Sequence, residues 1–233
     1  MKKIVATTVY ILVIITASFG QKKSKDVRIG FLLEPNISWL HPNENGIKND
    51  GSKVGINYGL MIDYEFSDNY ILATGLQICH TGGKLSYVGT NTGYIVPDVS
   101  SPTPTTPLTA NYNIGIQYLQ IPFAIKLKSD NKSKLNYWGS FGGFLAVPLK
   151  ARADVETNFG ISKDNDNVIG NIQPINLGMQ IGAGVEFPLS DKNVLVAGLL
   201  FNNGFIDVTK NSSWGNDGRI NLNNIALKLG IFF

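Results

Sequence analysis

The chain has 233 residues, a formal net charge of +3 and only 16% charged side chains, below the roughly 25% of an ordinary soluble domain. That charge is too weak for a nucleic-acid binder, and a mean hydropathy of +0.04 excludes a bundle of membrane helices, each of which needs about 20 apolar residues in a row. If such a chain crosses a membrane it does so as a closed barrel, because lipid offers no partner to an open sheet edge.

Residues 1–20 predict a signal peptide. Lys2 and Lys3 supply a positive start, Ile4 to Ile15 an apolar stretch, and Ser18 and Gly20 the small residues at −3 and −1 of a cleavage site. Cleavage before Gln21 leaves residues 21–233 as an outer-membrane barrel domain, with 18 of the 20 basic side chains facing 17 acidic ones. No cysteine lies near the site, so lipoprotein processing is not indicated. Cys79 is the one cysteine, which excludes an intrachain disulfide and suits a small inward-facing side chain.

Eight segments alternate with the period of a strand. The first spans Val27 to Leu40, with Val27, Ile29, Phe31, Leu33, Ile37 and Trp39 on one face and Arg28, Gly30, Glu34, Asn36 and Ser38 on the other. In the second, Lys53 to Phe66, Val54, Ile56, Tyr58, Leu60, Ile62, Tyr64 and Phe66 oppose Gly55, Asn57, Gly59, Met61, Asp63 and Glu65. The third runs from Asn69 to Lys84, with Leu72, Leu76 and Ile78 against Gln77 and Cys79. The fourth runs from Asn113 to Lys128, and Leu119 to Leu127 alternates with Gln120, Pro122, Ala124 and Lys126. Its first half has the opposite phase at Ile114 and Ile116. A bulge near Gln117, or a half projecting beyond the membrane, explains that. Pro122 removes a ladder donor.

The fifth segment, Leu135 to Lys150, and the sixth, Ile172 to Leu189, keep the alternation. The seventh, Asn193 to Ile206, is apolar on both faces and its phase is undecided. The eighth, Asn221 to Phe233, carries Ile225, Leu227, Leu229, Ile231 and Phe233 on one face. Such a stripe at the end of an exported chain fits a lipid-facing strand.

Connections alternate between short and long. Ser67 to Asn69, Ser129 to Ser133 and Ser190 to Asn193 are short and polar. His41 to Ser52, Leu85 to Tyr112, Ala151 to Asn171 and Asp207 to Ile220 are long. Outer-membrane barrels have short periplasmic turns and longer extracellular loops. Together these features predict an all-β fold, an eight-stranded antiparallel up-and-down transmembrane β-barrel with both termini in the periplasm. Tyr64, Phe66, Tyr70, Tyr137, Phe187 and Phe233 gather beside the short turns as a periplasmic aromatic girdle. The Pro/Thr/Ser-rich stretch Ser86 to Asn113 reads as a mobile extracellular loop and a candidate surface for a protein partner.

On this phasing Arg28, Glu34, Asp63, Glu65, Lys126, Glu186 and Lys228 point inward. Eight strands enclose a space that side chains just fill, and buried charges must pair. These seven residues therefore predict a salt-bridge plug, with a small porin-like channel as the alternative. His41 lies near Asp50 and Ser52 in sequence, but no GxSxG surrounds any serine. Cys79 and His80 are adjacent and so face opposite ways. Gly82 to Ser86 lacks the spacing of a phosphate loop. No catalytic, metal or cofactor pattern emerges.

Tyr118 to Lys128, YLQIPFAIKLK, together with the terminal Ile231–Phe232–Phe233, resembles the PorT-like outer-membrane β-barrel family. The resemblance covers nearly the whole mature chain. It implies a barrel, carries over no catalytic residues, and points to a process related to protein export, in which the family's namesake takes part in the type IX system. The last strand also looks like the C-terminal signal read by the barrel-assembly machinery, ending on Phe233. The expected protein is thus a monomeric, non-enzymatic barrel in the bacterial outer membrane. Its partners are outer-membrane lipid, the assembly machinery and a protein at the outer loops, and it takes no nucleic acid. An outer-membrane enzyme and a soluble lipocalin-like carrier are the remaining readings.

Overall fold

A computed structural model describes residues 27–43, 46–67, 69–89, 108–129, 135–190, 193–210 and 219–233. The predicted signal peptide and the middle of the Pro/Thr-rich stretch lie outside the described residues. Within them there are nine strands: β1 (Val27–Pro42), β2 (Ile47–Ser67), β3 (Tyr70–Gly89), β4 (Leu108–Lys128), β5 (Asn136–Thr157), β6 (Ser162–Asn167), β7 (Asn176–Pro188), β8 (Val194–Gly204) and β9 (Ile220–Phe232).

All pairings are antiparallel. They run β1–β2–β3–β4–β5–β7–β8–β9 and return to β1, so each of these eight strands has a neighbour on both sides. The eight predicted strands map onto this circuit in order. The ninth, β6, pairs only with β5, from Arg152↔Asn167 to Glu156↔Ser162. Its sequence, SKDNDN, has no apolar alternation to announce a strand.

The strands are longer than expected at the end away from the termini. β2 starts at Ile47, β3 reaches Gly89, β4 starts at Leu108 and β5 reaches Thr157. The expected loop His41 to Ser52 is therefore mostly strand. The Pro/Thr-rich stretch is paired at both margins, with Val88 opposite Thr109. The physical reason is a change of surroundings along each strand. Nearer the termini the outward residues are large and apolar, as at Phe31, Leu33, Ile125 and Leu127. Toward the far end the apolar residues turn inward and the polar ones outward, so the lipid-facing signature disappears while the period of two persists.

β4 shows this most clearly. Tyr112, Ile114, Ile116, Tyr118, Gln120, Ala124 and Lys126 are all buried on one continuous inward face. The strand has no phase break; the chemistry of its inward face changes instead. The expected bulge sits on the partner strand. Gln117 pairs with Lys150 and Tyr118 with Pro148, which leaves Leu149 of β5 as the extra residue. Pro122 leaves its trace too, because the β3–β4 ladder is interrupted between Thr74↔Phe123 and Gln77↔Gln120. Thr74 Oγ1 donates to the Pro122 carbonyl at 2.8 Å.

The undecided phase of the seventh segment is resolved in β8. Leu195 and Leu199 are exposed, while Val196 and Leu200 are buried against Trp138, Ala226 and Phe232. Both faces are apolar because one meets the outside and the other an internal cluster. The Trp138 ring fits there only because Gly184 and Gly198 lack side chains: a Cβ on either would lie 2.7 or 2.3 Å from the ring.

The outward apolar band runs on β9 from Ile225 to Phe233. Nine residues at about 3.4 Å each, tilted by about 40°, rise about 23 Å, close to the roughly 25 Å of a barrel's lipid-facing band. Among the described residues no helix is long and apolar enough to span a membrane.

Candidate functional site: the layered interior

The alternation of each strand delivers one inward side chain for every two residues, so the interior is built in tiers. Nearest the termini lies a charged tier. Arg28 of β1 is directly opposite Asp63 of β2, and its Nη2 lies 3.0 Å from Asp63 Oδ2. Its Nη1 lies 3.1 Å from Oε2 of Glu186 on β7. Lys126 of β4 places Nζ 2.7 Å from Asp63 Oδ2 and also pairs with Glu186 Oε1. Two cations and two carboxylates thus close a charge-balanced ring across the lumen. Lys128 approaches Glu186 at 3.9 Å from the rim. Aromatic faces complete the tier, with the Arg28 guanidinium 4.7 Å from the Phe232 ring centre and Lys126 Nζ 5.5 Å from that of Trp138.

The remaining charged residues expected to point inward are placed differently. Lys228 has its ammonium 5.8 Å from the Trp138 ring centre. Glu34 is 1% exposed. Its Oε2 accepts a hydrogen bond from Asn57 at 3.4 Å, and its Oε1 has no hydrogen-bond partner among the described residues. Glu65 is half-buried beside Asp63 and enters no ion pair among the described residues.

Above the charges comes a tier of amides. Gln77, Gln120, Asn176, Gln180, Asn202 and Asn224 are all buried. Asn202 donates to Asn224 at 2.8 Å, and Asn36 donates to Asn57 at 2.9 Å. Above that lies an apolar core that includes Leu40, Leu85, Tyr112, Ile114, Val155 and Ile220. Sequence reasoning placed the glutamines inward without recognising their tier, and it missed the apolar core. The available signal was the inverted chemistry at Ile114 and Ile116.

Other candidates do not assemble. His41 stands on β1 and Asp50 and Ser52 on β2, and among the described residues no hydrogen bond joins them. Cys79 is buried, its Sγ 3.8 Å from Gln77 Oε1. His80 faces the other way and stacks on Tyr58 at 5.9 Å. Among the described residues no cluster of His, Cys, Asp or Glu could hold a metal ion. Aromatics flank the band, exposed at Phe66 and Tyr70 and half-buried at Trp39 and Phe201. Phe66 and Tyr70 lie 6.2 Å apart near the short turns, and Trp39 stacks on Phe201 at 6.5 Å toward the far end.

Neisserial surface protein A is similar at 14% identity over 87% of this chain and 95% of its own, with a TM-score of 0.43. OprG from Pseudomonas aeruginosa is similar at 8% identity over 88% of this chain and 95% of its own, TM-score 0.45. Ail of Yersinia pestis, solved with the heparin analogue sucrose octasulfate, is similar at 14% identity over 88% and 99%, TM-score 0.37. No curated protein matches the chain. The profile described as outer membrane protein beta-barrel domain matches residues 19–210, most of the sequence, and the chain belongs to that family of bacterial outer-membrane β-barrel proteins.

Proposed function

We propose that this protein is a non-conducting, non-enzymatic transmembrane barrel that acts through its outer end, as a structural or interaction component. The observation that supports this is the layered interior. A pore needs a continuous polar path, and here an apolar core lies across the lumen above the amides. The charged ring lies across it again near the termini. An eight-stranded barrel has no spare width to bypass either tier. The long connections at the far end then remain as the surface for a protein partner.

Resemblance of Tyr118 to Lys128 to the PorT-like family supports protein export as the process this barrel serves. Its placement follows the same reading: a monomer in outer-membrane lipid, delivered by a signal peptide and assembled through the strand ending at Phe233. Single-channel recording in planar bilayers tests the central claim. The folded protein gives no steady openings. Reproducible ohmic steps from the wild-type chain would make it a small porin-like channel instead.

A further inference from the structure

The outward face of the barrel is not evenly convex. Across β3, β4, β5, β7 and the end of β8 it carries a groove of about 650 Å³, lined among others by Leu72, Phe123, Gly143, Leu177, Met179 and Phe205. The register explains it. Gly143 lies between Phe123 of β4 and Met179 of β7, on the outward face between exposed Phe141 and Leu145. Every outward neighbour has a large side chain and Gly143 has none; the Phe123 ring leans over it, 2.9 Å from where its Cβ would lie, so Gly143 and that ring together line the groove. The groove spans three successive rows of the ladder: Leu72 with Ile125 and Phe141, then Phe123 with Gly143 and Met179, then Leu177 with Phe205. Rows two residues apart are separated by about 7 Å, so the groove is about 14 Å long along the strands.

We propose that this groove seats one acyl chain of a membrane lipid. It opens within the outward apolar band and is continuous with it at Ile125 and Phe141. The six residues named above offer no side-chain donor and no acceptor beyond the weak Met179 thioether, so a headgroup, a sugar or a peptide backbone would lose its partners there. A second copy of the barrel presents a convex band, whereas a thin flexible chain follows a concave one. Lipid tails are as apolar as the groove, so no hydrophobic term drives the seating. The gain is dispersion contact: a void leaves its walls without partners, and a chain lying in it restores them. This site rests on the lipid-facing band and not on the sealed lumen, so the conductance test and the one below fail separately.

The test is native mass spectrometry of the full chain released from nanodiscs of dipalmitoyl phosphatidylethanolamine. The wild type retains one lipid. Met179→Trp fills the groove and lowers the retained fraction about tenfold, corresponding to about 1.4 kcal/mol. Leu199→Trp adds the same bulk to the band outside the groove and retains lipid as the wild type does. Heat-modifiable gel migration confirms folding, and Leu177→Phe replaces Met179→Trp if the latter does not fold. Equal retention by groove and control variants overturns the proposal. So does a dimer of the Met179→Cys variant that crosslinks through the new thiol.

Discussion

Removing Lys126 is the sharpest probe of the charged tier. Its ammonium sits between Asp63, at 2.7 Å, and Glu186, and the side chains of all three are at most 6% exposed. Lys126→Met keeps the aliphatic stem and deletes the charge. Arg28 still holds both carboxylates, at 3.0 and 3.1 Å, so one negative charge is left uncompensated rather than two. Breaking a buried pair in this way costs about 3–5 kcal/mol, and with Arg28 in place we expect about 3 kcal/mol. Lys126→Met combined with Glu186→Gln restores the balance and returns stability to within about 1 kcal/mol of the wild type, since replacing a whole buried pair is often neutral. Urea unfolding in lipid vesicles, followed by tryptophan fluorescence, reads both variants; Trp138 lies against the site. A cost below about 1 kcal/mol for the single variant, or a double variant worse than the single, would refute the balanced-ring account.

Three further outcomes are expected. Leu33 is outward in the middle of the band on β1, so Leu33→Arg costs about 2–4 kcal/mol in vesicle refolding, while Asn113→Arg beyond the band costs under about 1 kcal/mol. Tyr112→Ala hollows the far apolar core, where Tyr112 is 1% exposed, and loses about 3–5 kcal/mol in the same assay; an unchanged midpoint would mean the core is not packed as described. Intact mass of the exported protein corresponds to a chain beginning at Gln21, and a mass that retains Lys2 and Lys3 would leave the signal-peptide reading without support.

Much of the architecture is legible in the order of residues, for a local reason. Successive side chains of a strand point to opposite faces, so β1, β2 and β9 display their two environments within a few residues, wherever they sit in the barrel. The eight-strand circuit and the short connections at Ser67, Ser129 and Ser190 follow from that rhythm and its interruptions. β6 was invisible because a short polar strand on the water side has no apolar face to alternate. The true length of β2 to β5 was hidden because the inside–outside sense reverses once lipid gives way to water.

The tiers of the interior belong to another level. Arg28 and Glu186 are 158 positions apart, and their contact depends on how all the strands are staggered around the circuit. Each strand reveals that a charge points inward, but not the height at which it meets a partner. That height decides that Arg28, Asp63, Lys126 and Glu186 form a ring while Glu34 stands apart. The outward groove at Gly143 depends on the same register, because a glycine lines a groove only when the rows beside it carry large side chains. Facing is a property of one strand and its solvent, whereas meeting is a property of the closed sheet.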